Sequence, residues 1–356
     1  MADLILVIRW ATPVKNKLRS PHDRKRPFSI IIPFRNEERH LEKLIDSLKR
    51  AWNGQPEGEV ILVNDHSTDR SVEKLRAMDC PFPCQVIQAE DYGFSPKKNA
   101  LATGIDAARY DWIITMDADT FVEPSYFEAL AEYLPGTWPF KMSIAPVDIT
   151  VAGTGIAQTF QRYENLYLQG LTRLSARKGH PLLSNGAHLM FDRQAYRQTG
   201  GYAGLPPTAG GDDMFLMLRF KKSFPGLIDY WDDPKGRVFT YTVRDFRSLI
   251  EQRLRWAKKT FRLDDRDIRL YGILQFVYAF GFIACMPCGK LWFTGQLLRL
   301  TTEMLVTRPL AQWWNHRFRW TGLLLWHFLA PPVYWITALE SLLPVEFEWK
   351  SRRYRH

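Results

Sequence analysis

The chain has 356 residues, of which 46% are apolar and 24% are charged, and this composition excludes an intrinsically disordered protein. The formal net charge is +10, and nine of the excess charges lie in two end segments, residues 1–27 and 350–356. A nucleic-acid-binding protein more often carries its basic residues on one face of the folded domain, so we expect no nucleic-acid partner. Basic ends beside apolar segments are instead typical of tails at the cytoplasmic face of a membrane.

From residue 28 to about residue 231, short β-branched runs alternate with helical stretches. This alternation predicts an α/β fold with a mostly parallel sheet that helices cover on both faces. The clearest helix is Glu38–Ala51, for which Asn36 is the expected N-cap. In such a sheet, ligand-binding groups gather at the carboxyl ends of the strands. The predicted strands are Phe28–Phe34, Val60–Asp65, Gln85–Ala89 and Trp112–Asp117.

Three aspartates lie at or just after the ends of predicted strands. Asp65 could meet a base or a ribose, although an aspartate before Ser-Thr-Asp is also common in turns. Asp117 and Asp119 end a hydrophobic strand, where two carboxylates without a counter charge are costly to bury. A divalent cation, Mg²⁺ or Mn²⁺, would compensate them and could bridge to diphosphate oxygens. The alternative for this pair is a salt-bridged loop or a water-exposed turn.

Two adjacent acids, Asp212 and Asp213, follow a glycine pair and begin an apolar helix. An aspartate at a helix N-terminus is often only a cap. In a chain that already holds two strand-end carboxylates, the pair is better interpreted as a cap and a general base. We expect Asp213 to be the base and Asp212 its neighbour or cap, because attack at an acetal carbon usually requires a carboxylate that accepts the hydroxyl proton.

A basic, amphipathic helix is predicted around residues 251–259, where Gln252 and Arg255 share a face and Trp256 is adjacent. An arginine fits the oxygens of a diphosphate, and an indole offers a flat surface for a sugar ring or a base. The alternative is a helix that lies along a membrane surface.

After Lys259 the chain becomes apolar, and seven of its thirteen tryptophans follow position 290. Tryptophans at this density resemble interfacial anchors, so we expect membrane-associated helices, with a soluble helical domain as the alternative. If only the first and last apolar segments crossed, the arginines between them would lie outside, against the positive-inside tendency. Either a third segment crosses or some helices lie in the interface. The apolar segments are Leu270–Lys290, Leu291–Thr307 and Trp320–Leu343.

Taken in order, these elements resemble the family 2 inverting glycosyltransferases, in particular the membrane-bound branch with cellulose, hyaluronan and poly-N-acetylglucosamine synthases. Asp117-Ala-Asp119 is similar to the family's Asp-x-Asp metal motif, and Gly211–Asp213 to its Thr-Glu-Asp catalytic element. Gln252–Trp256 matches its Gln-x-x-Arg-Trp motif, and Pro96–Leu101 resembles its Gly-Lys-x-x-Ala-Leu element, with proline in place of the glycine. Asn185–Ala187 resembles the acceptor-side loop.

The resemblance implies a role for each matched position. The metal ligands are Asp117 and Asp119, and the catalytic residues are Asp213 and Asp212. The implied acceptor-binding residues are Asn185, Gly186 and Trp256. The implied donor-binding residues are Pro33, Arg35, Glu37, Asp65, Lys97, Asp117, Gln252 and Arg255.

The resemblance further implies a GT-A fold, related to the Rossmann fold, followed by a helical, membrane-associated region. The expected activity is transfer of a sugar from a nucleotide-diphosphate sugar, UDP being commonest in this branch, to a lipid-linked or polysaccharide acceptor. A non-catalytic sugar-binding subunit of a membrane complex is the alternative. The expected setting is the cytoplasmic membrane, with a cytoplasmic catalytic domain and possible partners in envelope biosynthesis. The expected segments are a basic N-terminus (1–27), the GT-A domain (28–243), an amphipathic interface helix (244–268), apolar helices (269–349) and a basic tail (350–356).

Overall fold

The computed structural model describes residues 26–52, 57–134, 139–150, 153, 155–206, 210–260, 262–341, 347–349 and 352–354. The described residues up to 148 and those from 179 to 240 form one compact unit, here called the sheet unit. Those of 149–178 and 241–356 form a second, here called the helical unit. The expected GT-A segment 28–243 contains residues of both units, and the expected division of the chain into segments stays a prediction. Most of the basic end segments 1–27 and 350–356 lies outside the described residues.

Strands and helices alternate along the sheet unit, as the sequence predicts. Within the described residues the strands are β1 (Phe28–Phe34), β2 (Gly58–Asn64), β3 (Cys84–Gln88), β4 (Trp112–Met116), β5 (Phe121–Val122), β6 (Met142–Ile144), β7 (Val147–Thr150), β8 (His188–Asp192), β9 (Ile228–Tyr230), β10 (Val238–Tyr241), β11 (Phe347–Trp349) and β12 (Arg352–Tyr354).

The α-helices of the described residues fall into two groups. Those of the sheet unit are α1 (Leu41–Ala51), α2 (Ser71–Ala77), α3 (Pro96–Ala107), α4 (Tyr126–Tyr133), α6 (Arg193–Gln198) and α7 (Asp212–Ser223). Those of the helical unit are α5 (Ile156–Arg177), α8 (Phe246–Thr260), α9 (Arg266–Ala284), α10 (Lys290–Trp313) and α11 (Trp320–Ser341).

The main sheet has the strand order β3-β2-β1-β4-β8-β6-β9. Strands β3, β2, β1 and β4 are parallel, β8 runs antiparallel to both β4 and β6, and β9 is parallel to β6. All seven residues of β1 are buried, which is typical of a central strand covered on both faces. The predicted α/β fold with a mostly parallel sheet is confirmed, and the four predicted strands occur within two residues of their expected ends.

The first predicted helix begins later than expected, and Asn36 is not its N-cap. Helix α1 begins at Leu41, after a turn, and buries Leu44 and Leu48 among the hydrophobic residues of the sheet unit. Asn36 has a φ of +53°, and its Oδ1 accepts a hydrogen bond from the backbone N of Thr68 at 2.8 Å. Asparagine tolerates this left-handed conformation, so its side chain joins two loops instead of capping a helix.

The helical unit has its own core, formed by aromatic and aliphatic side chains of α5, α8, α10 and α11 such as Phe160, Leu249, Val306 and Trp326. Helices α9 and α11 are, among the described residues, the two that are long and apolar enough to cross a membrane. Length and composition alone give weak evidence, because core helices of soluble proteins pass the same test.

A buried ion pair links three helices of this unit. Glu164 of α5 accepts a hydrogen bond from Nε of Arg253 of α8 at 2.8 Å and one from the hydroxyl of Tyr334 of α11 at 3.0 Å. Glu164 and Arg253 are both buried. The two residues are 89 positions apart, so this pair fixes α8 against a helix that local sequence patterns do not connect with it.

Replacing Glu164 by glutamine is expected to destabilise the helical unit strongly, because Arg253 is left buried without its counter charge. Breaking a buried pair in this way typically costs about 3–5 kcal/mol. Denaturant unfolding of the full chain, followed by helical circular dichroism, measures the loss. Glu251→Gln, which removes an exposed ion pair with Arg247 on α8, is the matched control and should change stability little. If both variants lost the same free energy of unfolding, the buried pair would stabilise the helical unit no more than the exposed pair does.

Candidate active site

Neighbouring strands bring several of the predicted site residues to one edge of the sheet. Strands β2, β1 and β4 are adjacent and parallel, and Asp65, Arg35 and Asp117 follow their carboxyl ends directly. Strand β8 is antiparallel to β4, so the segment before it, Asn185–Ala187, lies at the same edge. The backbone N of Asp117 donates a hydrogen bond to the carbonyl of Ala187 at 3.4 Å. This edge therefore carries the strand-end acids and the predicted acceptor-side loop together.

Lys97 joins two of the acidic motifs. Its Nζ lies 2.7 Å from Oδ1 of Asp117 and 3.3 Å from Oδ2 of Asp212. The lysine is in the first turn of α3, and Asp212 is the first residue of α7. Burial disfavours the charged ammonium, but the carboxylates of Asp117 and Asp212 outweigh it and raise the pKa of Lys97 well above its ordinary value. Lys97 is therefore a fixed positive charge at neutral pH.

Asp213 lies beside this ion pair and faces the loop before β8. Its Oδ2 accepts a hydrogen bond from the backbone N of Gly186 at 3.1 Å, and the residue is buried. A Cβ atom at Gly186 would lie 3.0 Å from Oδ2 of Asp212 and 3.5 Å from Nζ of Lys97. A larger residue would therefore crowd the two charged groups, and glycine lets the loop approach them.

The backbone before α7 explains how two aspartates reach one cluster. Gly211 occupies the N-cap position with a φ of +74°, a conformation that favours glycine. Asp212 and Asp213 are therefore in the first turn of the helix, and neither occupies the N-cap position. The helix dipole stabilises their negative charges there. Asp212 pairs with Lys97, and Asp213 is the carboxylate beside the loop before β8. The role of Asp213 as the base stays a prediction.

At the other side of the site, Arg35 and Glu37 order loops. Nη1 of Arg35 donates to the carbonyls of Asp65 at 2.8 Å and His66 at 2.6 Å. The carboxylate of Glu37 lies 2.7 Å from Nδ1 of His40. The Asp65 side chain is 9% exposed. The hydrogen bonds from Arg35 hold the loop that carries Asp65. Donor binding by Arg35, Glu37 and Pro33 of β1 stays a prediction.

Lys98 is a positioning residue that the sequence did not single out. It is 1% exposed, and its Nζ donates to the carbonyl of Pro206 at 2.9 Å and lies 5.5 Å from the ring centroid of Phe215. It therefore supports the loop that leads to α7. Successive residues of a helix point about 100° apart, so adjacent lysines face different surroundings. From this spacing, different roles for Lys97 and Lys98 could have been predicted.

Asp117 and Asp119, the two aspartates of the metal motif, fit a cation whose remaining coordination positions are filled by water and a bound substrate. Asp119 is partly buried, and Asp117 is already paired with Lys97. Within the described ranges, no group of three or more His, Cys, Asp or Glu residues could hold a metal ion by itself. Mg²⁺ characteristically binds one or two carboxylates and takes its other ligands from water and substrate phosphates. The carboxylates of Asp117, Asp212 and Asp213 all act on the charge of Lys97. These three acids carry more negative charge than this lysine offsets, which favours a divalent cation here.

The Gln-x-x-Arg-Trp motif lies on α8 in the helical unit. Gln252 accepts a hydrogen bond from Arg253, and Arg253 also stacks over the ring of Trp256, with Cζ 4.1 Å from its centroid. Trp256 is 38% exposed. Burial lowers the pKa of Arg255, and among the residues that the structure describes its guanidinium forms no hydrogen bond or ion pair. Donor contacts by Gln252 and Arg255 and an acceptor contact by Trp256 stay predictions.

His188 begins β8 directly after the site loop and is fully buried. Its Nε2 lies 2.8 Å from the hydroxyl of Tyr126, and burial lowers its pKa from 6.5 to about 3. Between about pH 3 and pH 6.5, His188 binds a proton in the unfolded chain but not in the folded chain. Stability is therefore full above pH 6.5 and falls as the pH drops, by about 1.4 kcal/mol per pH unit from this residue.

We expect His188→Gln to weaken this acid dependence, because the variant has no histidine to protonate on unfolding. Urea unfolding of the full chain at pH 7 and pH 4.5 gives the change in the free energy of unfolding for each protein. His66→Gln, an exposed histidine next to Asp65, is the control and should keep the parent's dependence on pH. An unchanged dependence in His188→Gln would contradict the assignment.

Comparison with known proteins identifies the family of the sheet-forming segment. Residues 29–199 match the family model described as Glycosyl transferase family 2. A dolichol-phosphate mannosyltransferase of Pyrococcus furiosus is 33% identical over 105 residues, 29% of each chain. An undecaprenyl-phosphate 4-deoxy-4-formamido-L-arabinose transferase of Pseudomonas paraeruginosa is 33% identical over 108 residues, 29% of this chain and 31% of the relative. The chain thus spans less than a third of the length of the curated relatives it matches.

A solved structure supports the same fold. The mannosyltransferase PcManGT from Pyrobaculum calidifontis, in complex with GDP-Man and Mn²⁺, has a TM-score of 0.56 and 17% identity. The match covers 95% of this chain and 94% of that one. Residues 29–199 are thus similar to glycosyl transferase family 2, and the fold is of the GT-A type. Membership of the cellulose and hyaluronan synthase branch stays a prediction.

Proposed function

We propose that this protein is an inverting glycosyltransferase that moves a sugar from a nucleotide-diphosphate sugar to an acceptor hydroxyl. The observation that carries the proposal is the cluster in which Lys97 bridges Asp117 and Asp212, with Asp213 next to Gly186. It combines a fixed cation, strand-end acids and a separate buried carboxylate at the ligand-binding edge of a GT-A sheet. Displacement at an anomeric carbon uses a base for the acceptor hydroxyl and positive charge for the leaving diphosphate, and this cluster offers both.

Each residue has a part in the mechanism that its geometry supports. Asp213 accepts the proton of the acceptor hydroxyl, which attacks the anomeric carbon from the face opposite the nucleotide. Lys97 remains protonated and stabilises the negative charge that develops on the departing diphosphate. Asp65 binds the nucleoside at the end of β2. Direct displacement inverts the configuration at the anomeric carbon.

A divalent cation, Mg²⁺ or Mn²⁺, belongs to the same proposal, with Asp117 and Asp119 as the residues that hold it. When bound, the cation supplies further neutralisation of the diphosphate oxygens. The two carboxylates provide hard oxygen ligands of the type that these ions prefer. The proposal gains support from the Mn²⁺ named in the PcManGT complex.

The proposed acceptor is lipid-linked or a polysaccharide, and the proposed location is the cytoplasmic face of a membrane. Two of the described helices, α9 and α11, are apolar and long enough to cross a bilayer. The names of two relatives include dolichol phosphate and undecaprenyl phosphate, which favours a lipid-linked acceptor. The basic residues at both ends of the sequence fit attraction to anionic lipid headgroups.

A panel of nucleotide-diphosphate sugars tests the proposal. The purified full chain is incubated with each donor, a membrane lipid extract and Mn²⁺, and products are identified by mass spectrometry. We expect one donor to give a product heavier than its acceptor by one or more sugar residues, with release of the nucleoside diphosphate. Polyprenyl phosphate and a polysaccharide are tested as separate acceptors. The proposal fails if every donor that binds is recovered unchanged.

A further inference from the structure

Helices α9 and α10 form an antiparallel hairpin around the turn Cys285–Gly289. Side-chain hydrogen bonds between described residues cross between its arms and set their antiparallel order. Arg299 donates to Oε1 of Gln275 at 3.1 Å, and the hydroxyl of Tyr278 donates to Oε1 of Gln296 at 3.2 Å. Nearer the turn, Nε1 of Trp292 donates to the carbonyl of Phe282 at 2.8 Å. Residues closer to the turn on α9 bond to residues closer to the turn on α10. The two helices therefore pair in one antiparallel register.

The hairpin buries polar groups and exposes apolar ones. Arg299 is 5% exposed and Gln296 is 9% exposed, whereas Phe293 and Leu297 on the same helix are 65% and 55% exposed. Arg299 also pairs with the fully buried Glu303 at 2.8 Å, so its charge is compensated inside. A helical hairpin surrounded by water shows the opposite arrangement, with apolar residues inside. Helices in lipid satisfy their polar groups against one another and direct apolar side chains outward.

The exposed apolar surface continues along α9 and over the turn. Its largest members are 50% to 65% exposed: Ile273, Val277, Phe280, Ile283, Met286 and Leu291. The sequence has no acidic residue between Asp267 and Glu303. Exposed basic residues lie at the far ends of the two arms, at Arg266, Arg269 and Arg308, and at the turn, at Lys290. An apolar surface between basic residues complements a bilayer whose headgroups are anionic.

We propose that the α9–α10 hairpin enters a phospholipid bilayer as one unit, with the turn leading and the arginines at the headgroups. Helix α10 is not among the helices that pass the length-and-hydropathy test. Its charged residues include Arg299 and Glu303, which form a buried ion pair inside the protein. The proposal extends the membrane attachment proposed above, and its test does not depend on sugar transfer.

The hairpin also resolves the orientation problem that the sequence raises. A single crossing by α9 would carry Arg308 and the exposed Arg317 and Arg319 to the side opposite Arg266. A hairpin returns the chain to the side from which it entered. All of these arginines then lie on one side of the bilayer, as the positive-inside tendency requires.

The experiment places a fluorescent label on single cysteines of the full chain reconstituted into liposomes of phosphatidylethanolamine and phosphatidylglycerol. The four native cysteines are replaced by serine in all variants. Phe293→Cys and Leu297→Cys report on α10, Ile273→Cys on α9, and Gln312→Cys, exposed at the other end of α10, is the control. Lipids brominated along their acyl chains quench labels that lie in the hydrocarbon core. Circular dichroism and thermal unfolding establish that each variant is folded.

We expect quenching of at least about twofold at positions 273, 293 and 297, because these side chains contact acyl chains, and little quenching at position 312. If positions 293 and 297 are unquenched while 273 is quenched, α9 alone enters the bilayer and the proposal is overturned. If no position is quenched, the hairpin lies outside the bilayer and the proposal is likewise overturned. Neither result bears on whether the sheet unit transfers sugar.

Discussion

Replacing Asp213 by asparagine is expected to abolish sugar transfer and to leave donor binding intact. Asparagine keeps an oxygen that can accept the hydrogen bond from Gly186, so the loop before β8 retains its position. It cannot accept the proton of an acceptor hydroxyl at neutral pH. Loss of a general base typically lowers the rate by about 10²–10⁴-fold. The turnover rate and the calorimetric affinity for the donor are measured on the same preparation.

The control for this variant is Asp106→Asn, which changes an exposed aspartate in the last turn of α3, the helix that carries Lys97 in its first turn. It should keep both activity and affinity. If Asp213→Asn loses donor affinity as much as turnover, Asp213 holds the donor and is not the base. Retained turnover would also overturn the assignment, and it would favour an acceptor that is already ionised, such as a lipid phosphate.

Replacing Asp117 by asparagine is expected to reduce transfer at least about 100-fold, because a bound divalent cation supplies several kcal/mol of charge stabilisation. The change also removes the carboxylate nearest to Lys97, at 2.7 Å. In the parent protein, EDTA should remove activity, and Mn²⁺ or Mg²⁺ should restore it. Mn²⁺ binding in the presence of the nucleoside diphosphate, measured by electron paramagnetic resonance, should weaken in the variant.

Asp111→Asn is the control for Asp117, since Asp111 lies just before the other end of β4 and pairs with Arg193 at the surface. It should bind Mn²⁺ as the parent does. Asp119→Asn should behave like Asp117→Asn, because both residues belong to the proposed metal site. Full activity of the parent in excess chelator would refute the metal site.

The position of the strand-end acids could be predicted for two reasons. Local runs of apolar residues locate the strand ends, and parallel strands place their carboxyl ends at the same edge of the sheet. Asp65 and Asp117 therefore lie where the sequence placed them. The partner of Lys97 in α7 could not be predicted in this way. Lys97 and Asp212 are far apart in the chain and meet only through the sheet topology. The resemblance named both residues, but the ion pair between them comes from the structure.

Other features were missed for identifiable physical reasons. Asparagine is a residue type that often caps helices, but the left-handed backbone of Asn36 directs its side chain toward another loop. Helix α5 lies within the expected GT-A segment, yet Glu164 ties it to Arg253 in the helical unit. Helix α10 is not one of the two described helices that are apolar enough to cross a membrane, yet its buried Arg299 is compensated by Glu303, a pairing that composition does not reveal. Long-range ion pairs have no local signature in the sequence.

The central claim is that the chain transfers sugar, and product sizing with a radiolabelled donor tests it most directly. The full chain, reconstituted with membrane lipids and Mn²⁺, is incubated with the donor selected from the panel, and Asp213→Asn serves as the blank. We predict labelled product in the parent reaction, as one added sugar on a lipid or as a ladder of longer chains, and none in the blank. Donor that binds but yields no labelled product would contradict the account and indicate a non-catalytic binding subunit.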